Sequence, residues 1–289
     1  MLAAVTEHAV ERAAEHAEHS IPLYAEELFN LGPIPVTNSM IVLWIVTIIL
    51  IFFARAATGK IAMVPRGVQN FFEFLVESLY DTLEGILGRH MTRRTFWFFA
   101  TIFITTLTCN WMGLLPFFGN IHYTTMTAEG PSHVPFLRAA TADLNLPLAM
   151  ATVYFFLWFY WSLTEVGPLG MVKHVFGVKG GMKADELGFP LIVGKVILAV
   201  VAVIFFFVGF IEVVSILFRQ VSLPMRLFGN IFAGENLLHE MGKYFGGWLV
   251  TIPFYCLEIV VGFVQALVFM LLTAVFTNLM CAHEEGEAH

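Results

Sequence analysis

The chain has 289 residues, 58% of them hydrophobic and 13% charged, with a formal net charge of −7 and a mean hydropathy of +0.78, where a soluble domain carries about 25% charged residues. This composition excludes a soluble globular enzyme and gives room for about five or six spans of ~20 residues in one membrane domain. The negative charge comes mainly from acidic termini, and the 15 basic residues form no continuous patch, which argues against a nucleic-acid partner.

Residues 1–38 read as a polar arm in which His8, His16 and His19 alternate with Glu7, Glu11, Glu15 and Glu18. The spacing matches no metal-ligand motif, so a solvated, partly helical arm is expected and no metal. No positively charged stretch precedes the first apolar run, so that run itself serves as the insertion signal. It extends from Met40 to Ala54 and opens a membrane domain over 39–282, with Arg55 snorkelling at its end.

From Val68 the apolar side chains Phe71, Phe72, Leu75, Val76, Leu79, Leu83, Ile86 and Leu87 fall at helical spacing, while Glu73, Glu77, Asp81 and Glu84 fill the other face. This pattern predicts an amphipathic helix over 67–90 lying at the membrane interface. Second and third spans follow at Phe96–Phe118 and Leu144–Thr164. An apolar stretch over about 190–240 carries Glu212, Arg226 and Glu235, and a last one over about 246–281 carries Glu258 and Gln265, before a short tail at 283–289. A helix of about 50 residues is ~75 Å long against a ~30 Å hydrocarbon core, so it is steeply tilted or bends at Pro224. The expected fold is an all-α integral membrane protein with five crossings and one interfacial helix, the last two helices long and tilted. Cys109, Cys256 and Cys281 lie in or at the end of apolar runs and read as small buried hydrophobes, not as a disulfide or zinc framework.

The distribution of Lys and Arg orients these spans. Arg55, Lys60, Arg66, Arg89, Arg93 and Arg94 lie between the first and second spans, and Lys173, Lys179 and Lys183 follow the third. These loops are expected on the cytoplasmic side. The arm has only Arg12, the loop from Gly119 to Asp143 only Arg138, and the connection before Gly246 only Lys243, so these face outward. The N-terminus is then outside and the C-terminus cytoplasmic, a pattern that fits a bacterial inner (plasma) membrane.

Charge inside such a chain needs a reason, because an ionised side chain at bilayer depth costs ~3 to ~15 kcal/mol. Ser222, Arg226 and Asn230 are four apart and share a helix face, whereas Glu235 is nine residues beyond Arg226, about 180° around and ~13 Å further along. Arg226 and Glu235 therefore cannot form a simple pair on one helix. Glu212 lies 14 residues before Arg226, ~21 Å in the other direction. A fixed cation between two separated carboxylates suits a proton path that must not be continuous, since carboxylates exchange protons and a guanidinium effectively does not. Glu235 and His239, four apart, stack as a relay pair, and Glu258 and Gln265, seven apart, share a face of the last helix. Each also admits a structural reading: His239 and Glu258 as satisfied polar groups at helix interfaces, and Asn230 and Gln265 as interhelical hydrogen-bonding groups.

The run from Ser222 to Glu235, SLPMRLFGNIFAGE, closely resembles the arginine signature of subunit a of the F-type rotary ATP synthase. Asn110, Gly113, Leu114 and Pro116 resemble that family's second-span signature, Thr141-Ala142-Asp143-Leu144-Asn145 its next element, and Gln265-Ala266-Leu267 with Phe269-Met270 its last helix. The resemblance implies two proton half-channels against a rotating ring of c subunits: an outer one near Glu235 and Glu258, an inner one near Glu212, and Arg226 facing the ring carboxylates. It also implies b-type peripheral-stalk partners, no cofactor, and no catalytic site in this chain, the ATP chemistry residing on other subunits. Proton is the coupling ion that the family implies. One departure stands out, because the family commonly pairs an acid with a histidine where this chain has Glu235 and Glu258. His239, one turn beyond Glu235, is expected to supply the imidazole.

The alternative from another class is an ion-coupled secondary transporter binding substrate through Glu212, Arg226 and Glu258, yet the two related halves common in such folds are not evident. An intramembrane metalloprotease fails on its motif, since His239-Glu240 is followed by Lys243 where a second histidine is required.

Overall fold

The computed structural model describes residues 27–32, 34–59, 61–115, 122–127, 130–135, 137–176, 191–244 and 248–281. The histidine-bearing part of the arm, Lys179, Lys183, Pro116, Phe118 and the tail at 283–289 lie outside the described residues. Among the described residues the elements are β1 (Glu27–Leu31), β2 (Ile34–Thr37), α1 (Asn38–Thr58), α2 (Val68–Gly113), β3 (His122–Thr127), β4 (Gly130–Pro135), a 3-10 turn (Ala140–Ala142), α3 (Asn145–Glu165), α4 (Gly167–Phe176), α5 (Leu191–Tyr244) and α6 (Trp248–Cys281). β1 and β2 pair antiparallel, as do β3 and β4. These two short hairpins, and the ten-residue α4, were not foreseen; where residues 27–37 are described, the arm is a hairpin and not helical.

Among the described residues, five helical segments are long and apolar enough to cross a membrane: Asn38–Thr58, Val68–Gly113, Asn145–Glu165, Val203–Met241 and Thr251–Cys281. The fold is that of an all-α integral membrane protein, as the hydropathy pattern predicts. α2 joins two different elements across a break at Gly88, whose φ of 72° and ψ of 161° lie where only glycine is readily accommodated. Before the break is the amphipathic segment, and after it a span. The amphipathic segment turns Leu79, Leu83 and Leu87 inward, four residues apart, and all three are buried in the main core. Its first half instead leaves Phe71 and Phe74 uncovered. The apolar face is thus covered by the chain itself at one end and open at the other.

Lipid tails are as apolar as leucine, so helix association in a bilayer relies on packing and on interhelical hydrogen bonds. α2 and α3 run antiparallel, with Arg94 bonded to Glu165, Phe98 and Phe99 against Trp161 and Thr106 near Met150. α3 and α6 run parallel: the Tyr154 hydroxyl donates to the Thr273 carbonyl at 3.0 Å and the Trp158 indole to that of Phe276 at 3.3 Å. α2 is tied to α6 by Asn110, whose amide donates to the Gly262 carbonyl at 2.9 Å and whose side-chain oxygen accepts from Thr141 at 2.7 Å. Trp111 donates to the Ile259 carbonyl one turn earlier on α6. The segment Thr141–Asn145 is held against α1 because Asp143 accepts from the Ser39 hydroxyl at 2.7 Å and from the Asn145 backbone N–H at 3.1 Å. Residues 137–143 are thereby pinned among the helices rather than lying over them.

Candidate functional site

α5 has 54 residues and α6 has 34, and they pack antiparallel. Arg219 stacks over the Phe276 ring at 4.3 Å. Arg226 shares a cleft with Gln265, Leu223, Leu227, Val268 and Phe269. Further along α5, Gly234 faces the Glu258 carboxylate. Positions thus rise along α5 as they fall along α6.

Leu223, Leu227 and Ile231 are buried at four-residue spacing, which sets the inner face of α5. One position back in each case, and therefore about 100° around the helix, Ser222, Arg226 and Asn230 are all exposed. The three residues form one ridge, as their spacing predicts. Arg226, which cannot pair with Glu235 on its own helix, stands on a ridge that lies open on the outside of the helix pair. Gln265, two turns from Glu258 on α6, is the α6 neighbour of Arg226.

Glu235 points away from that ridge and meets a cation that sequence reasoning took for an outward-facing loop charge. Arg138 is 1% exposed, and its Nε donates to Glu235 Oε2 at 3.4 Å, with the Glu235 side chain 21% exposed. The guanidinium also lies over the Phe232 ring at 5.6 Å. Phe232 precedes Glu235 by three residues, so ring and carboxylate share a face of α5 and both meet the same cation. Hydropathy and charge counting missed this pair because Arg138 stands in a loop. The available signal was that Glu235 has no arginine or lysine within reach on its own helix while a single cation stands five residues before Asp143.

Glu258 is 6% exposed, and its carboxylate occupies the space that a side chain at position 234 would fill. The absence of a Cβ at Gly234 is what lets α6 bring this acid against α5, next to Glu235 in sequence. His239 is half-buried one turn beyond Glu235, and Glu212 is half-buried two-fifths of the way along α5. Fourteen residues of helix keep Glu212 ~21 Å from Arg226 along the axis. The arrangement is one open cationic ridge, a cluster of two acids and a buried arginine beyond it, and a separate acid on the other side.

Gly234→Ala is expected to leave the fold intact, because the displaced atoms are the flexible end of Glu258, while moving that carboxylate out of its slot. In membranes holding the chain in its native assembly, the proton transport that the sequence resemblance implies should fall well below the parent level at unchanged subunit content. Shortening the acid in Gly234→Ala/Glu258→Asp should recover part of it. Unchanged transport in Gly234→Ala would show that the slot has no functional consequence.

The fold and site define a polytopic membrane protein with a buried acid–arginine cluster beside an open cationic ridge. Residues 40–278 match the family described as ATP synthase A chain. The chain is 29% identical over 250 residues to ATP synthase subunit a of Moorella thermoacetica, covering 86% of this chain and 93% of that one. It is 30% identical over 257 residues to the subunit a of Aliivibrio fischeri, covering 87% and 83%, and 31% identical over 253 residues to that of Gloeobacter violaceus, covering 86% of each. The chain belongs to the ATP synthase A chain family.

Proposed function

We propose that this chain is the stator channel subunit of an F-type rotary ATP synthase, forming two proton half-channels against the c-ring and coupling proton flow to rotation and ATP synthesis. The observation that carries the reading is the placement of Arg226 on the exposed Ser222–Arg226–Asn230 ridge, beside Gln265, with Glu235 and Glu258 gathered further along α5. In this reading the ridge faces the ring, and Arg226 holds each ring carboxylate as its proton leaves.

Protons enter from outside past Glu258 and Glu235, with His239 one turn on, and leave past Glu212 toward the cytoplasm. Arg226 prevents a direct path between the two routes, because its fixed positive charge repels a second cation. The loop charges support an orientation with the N-terminus outside and the C-terminus cytoplasmic in a bacterial inner membrane. The b-type peripheral stalk holds the chain against rotation, and catalysis on ATP belongs to other subunits.

Disulfide trapping tests the ridge. Cys109 and Cys281 are buried as expected, but Cys256, read from the sequence as buried, is exposed, so a Cys256→Ser background leaves Ser222→Cys and Asn230→Cys as reporters. In membranes of the whole complex both are expected to cross-link to cysteines placed around the ring carboxylate. If neither does, while a buried-face control such as Leu227→Cys behaves the same, the ridge does not face the ring and the transporter reading moves to first place.

A further inference from the structure

The junction between α1 and α2 forms an open cleft of about 420 Å³, within the ~300–1,000 Å³ range of small-ligand sites. Arg55 from the last turn of α1 and Arg66 from the connecting loop line it, together with Val68 and Gln69 from the first turn of α2. No carboxylate is among its described lining residues. Glu73, the nearest acid along α2, is engaged by the Gln69 side-chain nitrogen at 2.7 Å.

The cleft has built walls. The Gln69 amide donates to the Ala62 carbonyl at 3.1 Å and accepts from the Ala62 N–H at 3.2 Å, which fixes the loop to α2 at two points. Phe53 packs against the rings of Phe71 and Phe72, with centroids 6.2 and 6.1 Å away, which fixes the end of α1 to the start of α2.

The surroundings indicate the medium. Ile61, Met63, Val64, Phe71 and Phe74 all stand more than half exposed, a concentration of apolar side chains of the kind that marks a membrane or protein contact surface. Beside a membrane span these side chains belong at the acyl boundary, and the two arginines next to them at the level of the headgroups. Guanidinium groups take phosphate oxygens bidentately, and the first turn of a helix adds N–H groups without intrahelical partners. Two cations with no acid in the lining favour a headgroup of net negative charge over a zwitterionic one, whose own cation they repel.

We propose that this cleft binds the phosphate of an anionic phospholipid headgroup, clamped by Arg55 and Arg66, with the acyl chains lying along Phe71 and Phe74. The site lies away from the ion path and does not depend on it. It anchors the α1–α2 junction to the leaflet that it faces.

Native mass spectrometry of the full-length chain in its purified assembly tests this, using phosphatidylglycerol, phosphatidylcholine and inorganic phosphate as probes. Phosphatidylglycerol is expected to be retained in preference to phosphatidylcholine. Arg55→Gln/Arg66→Gln should lose one retained phosphatidylglycerol, with affinity lower by about 30-fold at roughly 1 kcal/mol per arginine near an anionic surface. Arg55→Lys/Arg66→Lys, which keeps the charge, should hold most of it and serves as the folding control. Equal retention in parent and glutamine variants overturns the proposal, as does phosphatidylcholine held as tightly as phosphatidylglycerol. Displacement of the lipid by inorganic phosphate alone would make this a free-anion site and overturn the lipid assignment. Loss of a stalk subunit from the glutamine variant, with lipid retention unchanged, would assign the arginines to a protein partner instead.

Discussion

Proteoliposomes holding the whole complex with Arg226→Ala are expected to lose ATP-driven proton pumping to background while passive proton leak under an imposed potential persists or rises. Each proton crossing 100 mV releases ~2.3 kcal/mol, and this becomes torque only if the inner and outer routes stay disconnected. In the proposed mechanism Arg226 is the group between them, since the Glu235–Glu258 cluster and Glu212 lie on opposite sides of it along α5. Alanine removes both the partner of the passing ring carboxylate and the barrier to leakage. The substitution sits on an exposed ridge, so loss of function is expected without loss of fold, and subunit content provides the control. Normal pumping would remove Arg226 from the mechanism and favour the transporter reading.

The second large effect is expected at Arg138. Arg138→Met leaves the Glu235 carboxylate without its closest cation. Breaking a fully buried pair by removing one partner costs ~3–5 kcal/mol, and because Glu235 retains about a fifth of its exposure the loss here is expected nearer ~2–4 kcal/mol. Thermal unfolding of the detergent-solubilised complex should show it as a lowered midpoint. Arg138→Met/Glu235→Gln removes both charges and is expected to regain most of the stability, because neutralised pairs of similar shape are often tolerated. Transport should not return with it if Glu235 carries protons. Full pumping in the stable double variant would confine the pair to a structural role. The Gly234 prediction addresses the neighbouring acid independently, since it moves Glu258 without changing any charge.

Much of the architecture was legible because its causes are local. The length of an apolar run fixes a span, and the alternation of apolar and acidic residues from Val68 fixes an amphipathic segment; both depend only on neighbours in sequence. The ridge of Ser222, Arg226 and Asn230 follows from helix geometry alone. The hairpins at Glu27–Thr37 and His122–Pro135 were not legible. Their strands are short, and their pairing depends on contacts across a turn rather than on hydrophobic periodicity.

By itself, then, the sequence determined a five-span, all-α membrane protein, its family, and an arginine whose counter-ion had to come from outside its own helix. Tertiary structure alone decided which groups meet. Arg138 and Glu235 are 97 residues apart, and only the pinning of the Thr141–Asn145 segment by Asn110 and Ser39 carries that loop cation in against α5. Gly234 admits Glu258 only because α5 and α6 pack antiparallel in one register. Helix formation is set by residues a turn apart, whereas an ion pair between a loop and a helix is set by how every intervening element packs.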